Sequence, residues 1–331
     1  MNRFILSAAM SCISFFSLCA GSWPKKMIIS VPVTDVRSKP GNRIIFSYDN
    51  LDWEQTTQLL MGERIIAYEE SRGWLKIKAK EQRVFSSNKW HDCCGWIKSD
   101  HAVQIQEYPE NNFIVKIPIA NVYSATGNTR EKLTSLSLGT TLLGCNLKEG
   151  WCKVLLPGGK QGIINKKAIG EIKKKSFVSY CDLSKNIIEI AQKFLGSPYL
   201  WGGGSFYNPH MSDPLTSIDC SNFIRLCHKT LGINLPRNSY SQYQDSKKVV
   251  SEPKKGDLIF ISTSNKPENI KHVMLYAGDD VLIESVGKIA GKSVRKVVKS
   301  NGRIRLGKEV SKLKSGEKVR EGTVFLGTFL R

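Results

Sequence analysis

The first half of the chain is written twice. Pro32-Val33-Thr34-Asp35-Val36-Arg37-Ser38 is matched by Pro118-Ile119-Ala120-Asn121-Val122-Tyr123-Ser124, and Gly73-Trp74-Leu75-Lys76-Ile77 by Gly150-Trp151-Cys152-Lys153-Val154. Each copy closes on a glycine before an apolar residue, Gly95-Trp96-Ile97 in one and Gly162-Ile163-Ile164 in the other. A repeat of this kind makes each copy one supersecondary unit of the same type. Within a copy the apolar runs are short, alternate with polar residues and are separated by turn residues, which predicts a small barrel or sandwich. The offset falls from 86 at Val36 and Val122 to 77 at Trp74 and Trp151, then to 67 at Gly95 and Gly162. The copies therefore differ in loop length, which surface loops tolerate. Trp74 and Trp151 are expected in the core or at a groove edge, and the lysine-rich stretch 166–175 as linker surface.

A chain of 331 residues has room for two or three domains. With 41% hydrophobic and 24% charged residues, disorder, collagen and a polytopic membrane protein are disfavoured. Lys+Arg 49 against Asp+Glu 29 gives +20, an excess suited to polyanions. Nucleic acid, anionic lipid and bacterial wall polymers all meet that description. Residues 1–22 have a secretory layout, with Arg3 before the apolar run Phe4 to Leu18 and small residues at Cys19-Ala20-Gly21. The run is short for a span of about 20 residues. Leu18 suits a lipid-modified Cys19 poorly, so simple export is preferred, and membrane attachment is expected only if Cys19 is lipidated. Removal of this segment leaves Cys93, Cys94, Cys145, Cys152, Cys181, Cys220 and Cys227. Their odd number leaves at least one thiol unpaired in a monomer. None of the spacings makes a zinc site.

Beyond residue 180, helix-period and strand-period segments alternate. Asp182-Leu183-Ser184 can cap a helix ending at Gly196-Ser197-Pro198, and a second amphipathic helix runs from Ser221 to about Gly232. Cys220 stands at the start of that second helix, where unpaired N–H groups and the macrodipole favour thiolate. The same N–H groups can accept an oxyanion. Gly256 to Ile261 and His272 to Ala277 are expected strands, and the turn Gly278-Asp279-Asp280 leads into Val281-Leu282-Ile283-Glu284. His272, about 50 residues after Cys220, supplies the base that a papain-like pair needs. A three-residue turn would pair residues 274 and 284 and set Glu284 diagonal to His272; a two-residue turn would flip Glu284 away.

The residues now match a family. Each repeat unit resembles a bacterial SH3 module. Pro198-Tyr199-x-Trp201-Gly202-Gly203, Asp219-Cys220-Ser221-x-Phe223, Leu235-Pro236-Arg237-x-Ser239, Gly256-Asp257-Leu258-x-Phe260 and His272-Val273-x-x-Tyr276 resemble, in order, the NlpC-type cell-wall cysteine peptidases. The resemblance implies an α+β architecture: signal peptide 1–22, SH3-like domains 28–105 and 112–172, and a papain-like NlpC-type catalytic domain 180–331. It implies a peptidoglycan hydrolase that cleaves γ-D-glutamyl-diamino acid bonds of stem peptides or muropeptides. The location implied is the periplasm or cell envelope, with no cofactor, no metal and no nucleic acid, in a monomer.

Carried over by position, Cys220 would be the nucleophile, His272 the base and Tyr199 an oxyanion donor. Asp219, Ser221 and Ser239 would hold a free N-terminal amine, and Trp201 belongs to the same substrate-side motif. Arg237 would hold a substrate carboxylate or brace its loop, and Glu63 would add an acidic group from the first module. Three positions depart from the family pattern: Asn222 where glycine is usual, Glu284 where the third catalytic group is usually histidine, and Cys93 where a pocket-closing tyrosine is frequent. The stretch Ser205 to Ser217, with His210, is expected as a rim loop. The basic stretch from Lys288 to Arg320 is expected as solvated surface before a final apolar strand, Thr323 to Gly327. The rival readings are a catalytically decayed peptidoglycan-binding protein and an amidase or acyltransferase with the same Cys/His dyad.

Overall fold

The structure, a computed structural model, describes residues 22–41, 52–124, 130–172, 179–197, 199–207, 218–279, 281–286, 304–305, 315–316, 318–319 and 322–330. The export segment, with Cys19, lies outside the described residues, as do His210 with the loop around it and most of the basic stretch 288–320.

The repeat in sequence is a repeat in topology. The first module has strands β1 (Lys25–Ile29), β2 (Val33–Arg37), β3 (Gln55–Leu60), β4 (Arg64–Ser71), β5 (Trp74–Ser86), β6 (Lys89–Lys98) and β7 (Ala102–Gln104). The second has β8 (Phe113–Val115), β9 (Ile119–Ser124), β10 (Lys132–Ser137), β11 (Thr141–Asn146), β12 (Trp151–Leu155), β13 (Gln161–Asn165) and β14 (Ile169–Glu171). Their orders, β3-β2-β6-β5-β4-β1-β7 and β10-β9-β13-β12-β11-β8-β14, are the same path shifted by seven strands. Alternation drives both: along Trp74–Ala79 every second side chain is buried, as a period-2 pattern requires. Val36, Leu59, Ile65, Leu75, Ile77 and Ile97 fill one core, and Phe113, Val122, Leu136, Val154 and Ile164 the other.

Two expectations are corrected here. The drop in offset from 77 to 67 is not a longer loop: β5 and β6 have 13 and 10 residues where β12 and β13 have 5 each. The extra length continues the ladder beyond a bulge between Ala79 and Arg83, and its tip lies over the C-terminal unit. There Arg237 N–H donates to Arg83 O at 2.9 Å and Phe85 N–H to Ser241 Oγ at 2.8 Å. Residues 166–171 are not linker either. Ala168 and Ile169 enter the second module's core, and β14 pairs antiparallel with β8.

The C-terminal unit carries β15 (Lys247–Lys248), β16 (Leu258–Ser262), β17 (Ile270–Gly278), β18 (Val281–Ile283), β19 (Ile304–Arg305), β20 (Lys318–Val319) and β21 (Gly322–Thr328). The sheet order is β15-β21-β16-β17-β18-β19, so the last strand lies beside β16 inside the sheet. Three helices pack on it: α1 (Tyr180–Gln192), α2 (Cys220–Lys229) and α3 (Ser239–Asp245). The cap of α1 is Ser179, three residues before the expected Asp182: Ser179 Oγ accepts Asp182 N–H at 3.1 Å and donates to Asp182 Oδ2 at 2.7 Å. Asp182 thus stands in the first turn, with its carboxylate accepting the cap hydroxyl.

One apolar cluster crosses all three units. Ile187, Phe194, Phe223, Leu226, Phe260 and Val273 pack with Leu60 from the first module and Leu138 from the second. All seven cysteines beyond the export segment are free thiols.

Candidate active site

Asp219 is the N-cap of α2, extended at φ −82° and ψ 170°, with Oδ1 accepting the N–H of Asn222 at 2.7 Å. Cys220 is the first helical residue and is buried. Its own N–H is among those that a helix start leaves without an intrahelical acceptor.

His272 is the third residue of β17. The Cys220 thiol hydrogen-bonds its imidazole, and on the other side Nε2 meets Glu284 Oε2. Burial works against the imidazolium, but its bonds to Cys220 and Glu284 outweigh that and raise His272 to about 10. The arrangement thus favours a charged imidazole beside sulfur, held by a fully buried carboxylate.

The hairpin supplies Glu284 in a way the sequence left open. Gly278 pairs with Val281 across a two-residue turn, which alone would turn Glu284 outward. A register shift between Tyr276 and Gly278 restores the pairing of Leu275 with Ile283. Ala277 is the extra residue. The register beyond it places 284 opposite 274, diagonal to His272.

Tyr199 is buried, and burial pushes its phenol upward, with negative charge at Cys220 and Asp219 adding to the effect. It therefore stays a hydroxyl donor close to the sulfur. The following loop is pinned to the first module. Gln55 Nε2 donates to Trp201 O at 3.1 Å, and Gly204 N–H to Gln58 Oε1 at 2.8 Å. Gly202 has φ +73°, and a Cβ there would lie 2.8 Å from Gln55, so both conformation and space demand glycine. Trp201 packs edge-on against Trp53, with ring centroids 4.6 Å apart.

Arg237 braces its surroundings. Nη2 donates to Asp219 Oδ2 at 2.6 Å and to Thr56 O at 3.0 Å. Nη1 reaches Ser221 Oγ at 2.9 Å and Asp219 Oδ1 at 3.4 Å, and Nε reaches Thr57 Oγ1 at 2.6 Å. All five guanidinium N–H groups are thereby committed, which leaves none for a substrate carboxylate. Ser239 is buried at the start of α3, two residues away.

Glu63, expected to contribute an acidic group to amine recognition, is enclosed by protein side chains. It is buried at 1% exposure, with Oε1 2.8 Å from Lys229 Nζ and 3.7 Å from Arg225 Nη2, and Oε2 accepting Gln82 Nε2 at 3.1 Å. Burial alone would raise its carboxyl, but Lys229 and Arg225 bring it below its usual range. Enclosed by two cations, the carboxylate is already neutralised inside the protein. Cys93 is buried, and burial raises its thiol.

Sequence reading missed Thr57, Gln82 and Trp53. Each comes from the first module, and no local pattern links them to a cysteine more than 120 residues away. Among the described residues no group of three His, Cys, Asp or Glu side chains converges as a metal set.

Comparison with known proteins points to one family. Residues 196–303 match the model of the NlpC/P60 family. The chain is 27% identical over 240 residues to a gamma-D-glutamyl-L-lysine dipeptidyl-peptidase of Bacillus subtilis (strain 168), covering 72% of this chain and 74% of that one. It is 36% identical over 118 residues to the peptidoglycan endopeptidase RipB of Mycobacterium tuberculosis, covering 33% and 47%. In fold it is similar to the crystal structure of an NlpC/P60 family protein from Bacillus cereus ATCC 10987, with a TM-score of 0.71 at 22% identity over 92% of this chain and 100% of that one. With a cysteine at a helix start, a histidine on the facing sheet and a carboxylate behind it, the chain carries an NlpC/P60 family domain at residues 196–303, preceded by two β modules of one topology.

Proposed function

We propose that the protein is an exported cysteine endopeptidase that cleaves γ-D-glutamyl-diamino acid bonds of peptidoglycan stem peptides, with two SH3-like modules ahead of its catalytic domain. The observation that carries this reading is the imidazole of His272 held between Cys220 and Glu284.

The chemistry follows from those groups. His272 takes the Cys220 proton, and the sulfur attacks the γ-D-glutamyl carbonyl carbon. The oxygen gains charge opposite the Cys220 N–H at the helix start and the Tyr199 hydroxyl. His272 then protonates the departing amine, leaving a thioester. Water, deprotonated by His272, attacks the thioester, and the sulfur leaves as thiolate. Glu284 orients the imidazole and stabilises its charged form.

Asp219 Oδ2 accepts Arg237 Nη2 and retains a lone pair. A free N-terminal amine of the stem peptide is accommodated there, beside Ser221 and Ser239. The intact three-residue relay favours an enzyme over a decayed binding protein.

The test is digestion of defined tri- and tetrapeptides, with free or acetylated N-terminal alanine, followed by mass spectrometry. The wild type should release the dipeptide ending in D-glutamate, Cys220→Ala should release nothing, and acetylation should suppress turnover. Equal absence of product with both proteins would reject the enzyme. Masses of any other product would assign the dyad to amidase or acyl-transfer chemistry instead.

A further inference from the structure

Seven buried residues form a closed polar ring between the first module and the catalytic helix, one of its links through a backbone N–H. Starting at Glu63, Oε2 accepts Gln82 Nε2 at 3.1 Å, and Gln82 Oε1 accepts Thr57 Oγ1 at 2.7 Å. Thr57 Oγ1 accepts Arg237 Nε at 2.6 Å, and Arg237 Nη2 donates to Asp219 Oδ2 at 2.6 Å. Asp219 Oδ1 accepts Asn222 N–H at 2.7 Å, and Asn222 Oδ1 accepts Arg225 Nε at 2.9 Å. Arg225 Nη2 closes the circuit 3.7 Å from Glu63 Oε1. Glu63, Gln82 and Thr57 belong to the module, while Arg237, Asp219, Asn222 and Arg225 belong to the catalytic unit; none is more than 6% exposed.

One branch of the ring runs to the loop that carries Tyr199. Asn222 Nδ2 donates to Gly203 O at 2.9 Å, and the same glycine oxygen accepts Asp219 N–H at 3.2 Å. A Cβ on Gly204 would sit 2.8 Å from that amide nitrogen. The contact therefore fixes the height of the loop that starts at Tyr199. With both amide atoms of Asn222 satisfied, only this orientation of the side chain serves its partners.

From this arrangement we propose that Asn222 is a positioning residue for the oxyanion donors, and that through Arg225 and Glu63 the first module is a working part of the active site. Asn222 touches neither nucleophile nor substrate. It holds the Tyr199 loop against the N-terminus of α2, so the hydroxyl and the Cys220 N–H converge on one point. Glycine at this position makes neither bond, so the ring and the asparagine belong together. The inference rests on the proposed hydrolase reading only for its peptide assay.

The test uses the full chain, comparing wild type with Asn222→Ala, Asn222→Asp and Glu63→Gln. Removing the amide leaves Arg225 Nε unpaired in a buried site and Gly203 O held by the Asp219 N–H alone, so kcat on a stem peptide should fall roughly 10- to 100-fold. KM should stay within about twofold, because no substrate contact is lost. The rate of Cys220 alkylation by iodoacetamide should also stay within about twofold, because alkylation needs the thiolate and not an oxyanion hole. Asn222→Asp keeps the acceptor for Arg225 and loses the donor to Gly203, so it should resemble alanine. Release of p-nitrophenolate from p-nitrophenyl acetate should slow in parallel. If the wild type cleaves no peptide yet reacts with the ester, the hydrolase reading falls and the ester rates alone decide this inference. Equal ester rates, or unchanged kcat with only a lower melting temperature, would overturn it. Glu63→Gln, which keeps shape and removes the charge, provides the same comparison should an Asn222 variant fail to fold.

Discussion

At the scale of single residues, the chemistry of this site is a matter of which proton stays where. His272 is raised to about 10, against the cost of its burial, by its bonds to Cys220 and Glu284. His272 therefore stays charged through neutral pH, and the alkaline limit of the site is loss of the imidazolium proton. Glu284→Gln removes one of the two stabilising partners, so the alkaline limb of kcat/KM against pH should move to lower pH. An unmoved limb would show that the carboxylate has no hold on the proton. Tyr199→Phe should lower kcat by about 10²-fold with little change in that limb, since it removes one oxyanion donor and no titrating group. Cys220, His272 and Tyr199 were legible in the sequence because each sits in a short motif whose residue types carry its chemistry. Arg237 and Glu63 were not, because whether a charged side chain faces substrate or a buried partner depends on what packs over it.

At the scale of elements, one inserted residue sets the geometry. The β17–β18 hairpin has a two-residue turn, and the shift between Tyr276 and Gly278 returns Glu284 to the face of His272. Inserting one residue between Leu282 and Ile283 should move Glu284 opposite Val273 and turn its side chain to the face away from His272. kcat should then drop by at least about 10²-fold, the contribution of a positioned acid–base group. Retention of full activity, in a variant with unchanged circular dichroism, would refute this account of the register. The long hairpin β5–β6 teaches the same lesson. Ten additional residues were visible as a change in repeat offset, but a count of residues does not distinguish a loop from two extended strands.

At the scale of the whole molecule, the three units share one core and one buried polar ring. Leu60 and Leu138 pack into the catalytic cluster, and Lys229 of α2 is enclosed by Glu63 and Glu81 of the first module. Calorimetry should therefore show a single unfolding transition, and separate transitions for modules and catalytic unit would contradict shared packing. Acid stability offers a second check. His228, in the last turn of α2, is fully buried with Nδ1 bonded to Ile224 O, and burial lowers it to about 4. The unfolded chain binds its proton near 6.5 and the folded one only near 4. Stability is thus unaffected above about 6.5 and falls as pH drops toward 4, by up to about 3 kcal/mol. Replacing His228→Met should flatten that fall in urea midpoints measured between those values; an unchanged slope would exclude it.

The sequence by itself determined the repeated β topology, the helix that begins at Cys220 and the histidine strand facing it. These depend on period, turn residues and caps acting within a few positions. Tertiary structure alone decided that Arg237 braces rather than receives, that Glu63 is buried rather than offered, and that Ala277 returns Glu284 to the site. It also decided that Asn222, a mere departure from a pattern when read along the chain, joins two units. Burial, register and the partner of a charge are set by residues distant in sequence, and a local pattern carries no record of them.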